Sequence, residues 1–295
     1  MTASAEDRPA RFSEERSADL VAGSFAGTPD PRLREILTSL VEHLHGFAKK
    51  VALTQGELDA AIGFLTRTGQ KCDEVRQEFV LLSDVLGLSM LVDAISTRTS
   101  SAATESTVLG PFHMVDSPPR ELGDSISVVD GGEPTLITGQ VLAVDGAELG
   151  GATVDVWQAD DQGFYDVQKP ESVPVGNLRG LFTCDAHGRF AFRTILPAPY
   201  PIPFDGPVGT LLAATGRHPY RPAHIHFIAS AAGHATLTTH VFVEGSPYLD
   251  SDAVFGVKDS LVTDFPLVED ADLADRFGLA VPFRHAHVEI RLGPA

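Results

Sequence analysis

Between Asp30 and Lys50 the apolar residues Leu33, Ile36, Leu37, Leu40, Val41 and Leu44 recur every three or four positions, which predicts an amphipathic helix with one apolar stripe. A second helix is expected from Thr54, where Thr54-Gln55-Gly56-Glu57 has the spacing of a capping box, through Leu58, Ile62 and Leu65 toward Gly69. A third, from about Asp73 to Ile95, carries Phe79, Val80, Leu81, Leu82, Val85, Leu86, Leu88, Met90 and Leu91. It is apolar nearly all round, which predicts burial on more than one side, against a second domain or a partner subunit. Asp84 stands inside that run with Val80, Leu81, Gly87 and Leu88 as helical neighbours. A carboxylate there either sits at a solvated edge or is satisfied by a nearby backbone group, or it is kept for a purpose.

Beyond Thr97–Ser106, a Ser, Thr and Ala stretch that reads as a linker, the period changes. Short alternating runs are expected as strands over Leu136–Val144, Thr153–Gln158, Leu181–Cys184, Arg189–Thr194, Ala223–Ala229, Leu237–Val243 and His287–Leu292, with turn signals such as Asp145-Gly146 between them. Many short strands in succession predict a β-sandwich or barrel rather than βαβ units. Pro197–Gly209 carries five prolines, so it is expected as an ordered loop rather than a central strand. The organisation expected is α+β: a loose polar arm over 1–28, a helical domain over 29–105 and a β-sandwich domain over 106–295.

The chain has 295 residues, 43% of them hydrophobic, enough for a substantial core. A formal charge of −18 without any Lys/Arg cluster argues against nucleic acid or an anionic membrane surface as partner. Neither an apolar N-terminal region nor a run of membrane-spanning length is present, and a cytoplasmic location is expected. Two distant cysteines, Cys72 and Cys184, offer neither a disulfide framework nor a Cys-based zinc site, so any metal would have oxygen and nitrogen ligands.

Arg221-Pro222-Ala223-His224-Ile225-His226-Phe227 supplies the candidate chemistry. Strand geometry puts His224 and His226 on one face and Ala223, Ile225 and Phe227 on the other, which makes either a two-imidazole claw or two polar residues on a solvated face. Arg284-His285-Ala286-His287 repeats the spacing, so spacing does not decide between the pairs. Only four tyrosines occur, and Tyr165 and Tyr200 lie in turn-like settings flanked by Gly or Pro. Each alone reads as a half-buried phenol with a satisfied hydroxyl. If both meet His224 and His226 at one ion, two phenolates and two neutral imidazoles suit a hard trivalent cation, ferric iron first.

Trp157-Gln158-Ala159-Asp160, Gly163 to Gln168, Pro199 to Gly206 and Arg221 to Phe227 together resemble the intradiol ring-cleavage dioxygenases. The resemblance extends to Leu109-Gly110-Pro111-Phe112, Thr238 to Val243 and Leu249 to Gly256, and covers most of residues 30 to 265. It implies a helical domain that makes a homodimer, with an apolar tunnel at the interface able to hold a lipid, and a β-sandwich catalytic domain holding a non-haem Fe(III). By match, Tyr165 and Tyr200 are the equatorial and axial tyrosinates and His224 and His226 the imidazole ligands, a hydroxide completing the set. His285 and His287 have no counterpart. Exchange of Tyr200 and hydroxide for a diolate keeps the centre neutral, and Tyr200 then acts as a base toward the diol. Arg221 corresponds to a cation beside the substrate ring.

The matched pocket comprises Leu81, Asp84, Val108, Gly110, Pro111, Phe112, Ile202, Pro203 and Val254, mostly apolar as a flat ring requires. Asp84 is the exception: accepting from a third hydroxyl, it favours 1,2,4-trihydroxybenzene over catechol. Asp166-Val167-Gln168 also resembles the hydroxyquinol branch. The expected chemistry is cleavage by O2 between the adjacent hydroxylated carbons. The rivals are a catechol or chlorocatechol 1,2-dioxygenase with the same iron chemistry and, in another class, a zinc-binding hydrolase or a sandwich binding module.

Overall fold

The computed structural model describes residues 11–73, 76–97 and 102–295. Positions 1–10 of the expected arm, 74–75 of the expected third helix and 98–101 of the expected linker lie outside the described residues. The chain divides into two compact units, one ending at Thr66 and the other beginning at Arg67.

The first unit holds α1 (Ser17–Gly23), α2 (Pro31–Val51) and most of α3 (Gln55–Gln70). Residues 17–23, expected in a loose arm, are helical and pack on α2. Asp30 starts α2 by accepting from the Arg32 and Leu33 N–H groups at 2.8 and 3.3 Å, and Pro31 takes the first turn, where its missing N–H is not needed. At α3 the capping box closes: Thr54 N–H donates to Glu57 at 2.9 Å and Glu57 N–H donates to the Thr54 hydroxyl at 3.3 Å. Leu33, Ile36, Leu40, Leu44 and Phe47 leave an apolar stripe exposed along α2.

The expected third helix is two, α4 (Glu78–Val85) and α5 (Leu88–Ser96), bent by 77°. Gly87 between them has φ 72°, a left-handed conformation that ends α4 and is cheap only for glycine. Leu81, Val85 and Met90 are buried, whereas Phe79, Val80, Leu86, Leu88 and Leu91 are exposed in this chain, so burial is one-sided here. No single helix among the described residues is long and apolar enough to cross a membrane.

The remainder carries β1 (Pro134–Ala143), β2 (Thr153–Gln158), β3 (Arg179–Thr183), β4 (Arg189–Ile195), β5 (Tyr200–Pro201), α6 (Pro207–Ala214), β6 (Tyr220–Arg221), β7 (His224–Ser230), β8 (Leu237–Val243), β9 (Val262–Thr263), β10 (Leu267–Val268), α7 (Ala271–Phe277) and β11 (Phe283–Leu292). A four-stranded sheet runs β10-β11-β1-β4 and a five-stranded sheet β3-β2-β7-β8-β9, with β5-β6 a separate ribbon. Ile137, Val141, Phe190, Phe192, Ala286 and Ile290 from the first sheet and Val154, Val156, Ile225, Phe227 and Val241 from the second form one core, so the fold is a β-sandwich. The proline-rich loop ends sooner than expected: Pro207 begins α6, whose Val208 N–H is capped at 3.0 Å by the buried carboxylate of Glu78.

Candidate active site

The outer face of the five-stranded sheet is the floor of the site. Residue parity along β7 sends Ala223, Ile225 and Phe227 into the core and His224 and His226 outward. His226 is paired across the ladders with Trp157 on β2 and His240 on β8, so three rings share one row. The Trp157 indole stacks on the His226 ring at 4.5 Å and 13°.

Two loops deliver the phenols. Tyr165 heads a short turn, its N–H donating to Gln168 at 2.9 Å, while the next residue, Asp166, accepts from the buried Arg179 guanidinium at 2.6 to 3.0 Å and from the Gly176 N–H at 2.8 Å. Gly163, at φ +83°, lets this turn lie against the second loop: a Cβ there would meet the Pro199 carbonyl at 2.8 Å and the Tyr200 Cβ at 2.9 Å. Tyr200 itself is paired with Arg221 across the β5-β6 ribbon. The strand that ends in Arg221 leads within three residues to His224, so ribbon and sheet converge on one point.

There Tyr165 Oη lies 3.0 Å from His226 Nε2 and 3.4 Å from Tyr200 Oη, and the two histidine Nε2 atoms are 3.2 Å apart. Donors bound at about 2 Å to one ion, with angles of 90 to 120°, stand about 2.9 to 3.6 Å from each other, so the spacing fits a single small cation. All four side chains are buried, at most 3% exposed. His224 Nδ1 is 2.7 Å from the Pro222 carbonyl, which can only accept, so Nδ1 carries the proton and Nε2 presents its lone pair.

Burial, then the Arg221 charge, pushes the His224 imidazolium down to about 3, and burial lowers His226 and His240 well below the ordinary histidine value. Burial, then Tyr200, raises the Tyr165 phenol well above its ordinary value. A neutral donor set of this kind becomes anionic only when a strong cation offsets the desolvation. Arg221 is held charged: burial opposes it, but Asp252 and the two tyrosines outweigh that. Its Nε and Nη2 donate to Asp252 at 3.1 and 3.2 Å, and Nη1 stands 3.4 Å from His224 Nε2. Burial likewise works against the Asp252 carboxylate, but Arg221 overcomes it and the net shift is downward.

These shifts predict an acid-sensitive metal-free protein. The three imidazoles take up protons below about 6.5 in the unfolded chain and much lower in the fold, so stability is full above that value. It falls as the pH drops, by about 1.4 kcal/mol per pH unit for each imidazole. Urea midpoints measured on both sides of the unfolded histidine value check this; midpoints that do not fall with acid contradict it.

Comparison with known proteins agrees with the geometry. A family model described as "Dioxygenase" matches residues 120–291, and one described as "Catechol dioxygenase N terminus" matches residues 30–104. The chain belongs to the intradiol dioxygenase family. Among the most similar members, hydroxyquinol 1,2-dioxygenase of Rhizobium sp. (strain MTP-10005) is 53% identical over 269 residues, 91% of each chain. The 6-chlorohydroxyquinol 1,2-dioxygenase of Cupriavidus pinatubonensis is 53% identical over 245 residues, 83% of this chain and 88% of that one. The crystal structure of hydroxyquinol 1,2-dioxygenase from Pseudomonas putida DLL-E4 superposes with a TM-score of 0.88 at 48% identity, covering 96% of this chain and 99% of that one.

Within this intradiol dioxygenase, Leu81, Val85, Ile202 and Val254 form one apolar cluster with Val208 and Leu212, and Val108 packs against it. Phe112 stacks on Tyr165 at 4.5 Å and 24°. Gly110 lies against His226, where a Cβ would be 3.1 Å from Cε1. Pro203 is half-buried beside Ile202, and Pro111 is exposed. Asp84 is buried on α4, its carboxyl raised by burial and partly drawn back by Ser89 and the Arg221 charge. The second histidine pair lies in the other sheet, on β11, where His285 Nε2 and His287 Nδ1 stand 2.9 and 3.0 Å from the Thr138 hydroxyl. Sequence reasoning passed over Asp252, Thr107 and His240. Asp252 and His240 stood within matched segments, but only their pairing with Arg221 and His226 reveals a task.

Proposed function

We propose that this intradiol dioxygenase carries Fe(III) on Tyr165, Tyr200, His224 and His226. Its reaction opens hydroxyquinol (1,2,4-trihydroxybenzene) with O2 between the adjacent hydroxylated carbons, giving 3-hydroxy-cis,cis-muconate, the enol of maleylacetate. The observation that carries this reading is the meeting of two buried phenol oxygens and two imidazole nitrogens, linked by distances of 3.0 to 3.4 Å, beside a buried arginine. Tyr165, Tyr200, His224 and His226 would hold the ferric ion, which would supply a Lewis acid toward an aromatic diol bound there.

The side chains do the rest. The Tyr200 oxygen takes a proton from one diol hydroxyl as the phenol leaves its place. Arg221, locked by Asp252 beside the two phenols and His224, would lower the cost of negative charge growing on a ring bound there in a dry site. Leu81, Val108, Ile202 and Val254 supply apolar walls, Gly110, Pro111, Phe112 and Pro203 the remaining lining, and exclusion of water strengthens every electrostatic contact inside. Asp84 accepts a hydrogen bond from the third hydroxyl, and plain catechol lacks that donor, leaving the buried carboxylate with Ser89 alone.

The wider reading is a homodimer paired through residues 29–105, for which the exposed apolar stripe of α2 provides a surface. It works in the cytoplasm, in keeping with Cys72 and Cys184 left as free thiols.

Oxygen uptake with hydroxyquinol and with catechol tests the substrate, and Asp84→Asn tests the cause of the preference. Replacing a charged acceptor by a neutral one is expected to lower the ratio of the two kcat/KM values by about 10-fold or more. An unchanged ratio removes Asp84 from the account, and catechol turned over faster by the wild type replaces hydroxyquinol as substrate.

A further inference from the structure

His226 is engaged on both edges of its ring. Nε2 faces Tyr165 Oη and His224, while Nδ1 lies 2.7 Å from His240 Nε2, and His240 Nδ1 is in turn 2.9 Å from the Thr107 hydroxyl. His240 is fully buried and Thr107 nearly so. Although His224, His226 and His240 can each offer a ring nitrogen within 4.8 Å of the others, His240 Nε2 is spent on the edge of His226 that points away from the phenols. It is therefore an outer partner and not a third protein nitrogen on the ion.

The two histidines of the claw are fixed by different means. The Pro222 carbonyl dictates the His224 tautomer by itself, because it has no proton to give. His240 has both roles open to it, so the chain Thr107–His240–His226 has two self-consistent polarities. In one, Thr107 donates to His240, His240 to His226, and a proton ends on His226 Nε2 inside the site. In the other, His226 Nδ1–H donates to His240 Nε2 and His240 Nδ1–H donates to Thr107, which frees the His226 Nε2 lone pair. Only the second can ligate.

We propose that His240, backed by Thr107, is a positioning residue: it accepts the Nδ1 proton of His226, holds that ring in the ligating tautomer and sets its strength as a donor. The acceptor is neutral, unlike the carboxylate that often fills this place behind a metal-bound histidine. Each polarity leaves all three groups uncharged, so the relay adds no negative charge to the centre and leaves its Lewis acidity undiminished. Thr107 is fixed by its own N–H, which donates to the Thr238 carbonyl at 3.0 Å, and Trp157 covers the His226 face.

The inference rests on the ferric reading above and is tested on the iron-loaded full chain with His240→Phe, His240→Gln and Thr107→Val. Two readouts other than turnover decide it: the energy of the tyrosinate-to-iron absorption band and the rate of iron loss to a ferric chelator. His240→Phe offers no acceptor and is expected to lose iron about 10 to 100-fold faster, with a shifted band. His240→Gln offers an amide oxygen and is expected to recover most of that loss. Thr107→Val is expected to move both readouts the same way by a smaller amount. Wild-type band and iron-loss rate in His240→Phe overturn the proposal, as does a folded His240→Gln no better than His240→Phe. Should His240→Phe fail to fold, Thr107→Val decides: unchanged readouts overturn the proposal and a shift in the stated direction supports it. A wild-type protein that takes up no iron and shows no such band overturns the ferric reading itself, a result distinct from variants that match the wild type.

Discussion

Tyr165→Phe is expected to weaken and shift the tyrosinate-to-iron colour of the iron-loaded protein, leaving only the Tyr200 contribution, and to cut hydroxyquinol cleavage by well over the ~10 to 100-fold typical of removing an outer partner. The phenol oxygen sits 3.0 Å from His226 Nε2 and 3.4 Å from Tyr200 Oη, so its removal takes away one of four donors and an anion that neutralises the ion. The ring itself remains: it is stacked on Phe112 and buried with Trp157 and Tyr200, and phenylalanine fills the same space. Thermal unfolding of the metal-free variant is thus expected to stay near the wild type. Iron content, the visible spectrum and oxygen uptake check the prediction; full colour with full activity in the variant contradicts it.

The second large effect belongs to Arg221. Arg221→Leu is expected to lower kcat by about 10²- to 10³-fold through loss of the cation opposite the developing charge. It is also expected to destabilise the fold by about 3 to 5 kcal/mol, because Asp252, 5% exposed, is left as a buried carboxylate without its partner. The two consequences separate in the double variant Arg221→Leu/Asp252→Leu. Removing both charges is expected to restore most of the stability and none of the activity. Denaturant unfolding and steady-state kinetics on the same preparations give the answer, and a double variant that regains turnover sinks the catalytic assignment of Arg221.

The parts of this architecture governed by local rules could be read from residue order. Strand parity put His224 and His226 on one face, the Thr54–Glu57 spacing marked a helix start, and alternation located seven of the nine strands of the two sheets, β9 and β10 being only two residues long and too short to alternate. What stayed hidden depends on contacts between distant segments. Gly87 interrupts a run of helix-forming apolar residues, but a glycine inside a helix costs only about 1 kcal/mol, so its left-handed turn is invisible to periodicity. The helix α6 begins in proline-rich sequence and is capped by Glu78, far away along the chain. Which of two identical His-x-His spacings faces the tyrosines is decided by which sheet each strand joins, and the pairing of Tyr200 with Arg221 arises from a ribbon only two residues wide. The resemblance to a family joined these pieces where spacing could not. Asp252 and the Thr107–His240 chain needed coordinates, because each acts through a partner on a different segment.

The most direct measurement is anomalous diffraction at the iron absorption edge from crystals of the purified protein. A single iron peak is expected about 2 Å from Tyr165 Oη, Tyr200 Oη, His224 Nε2 and His226 Nε2 together, with His240 outside the coordination shell. A metal peak bound by histidines alone, with His240 among the ligands and both phenols turned away, would contradict the account.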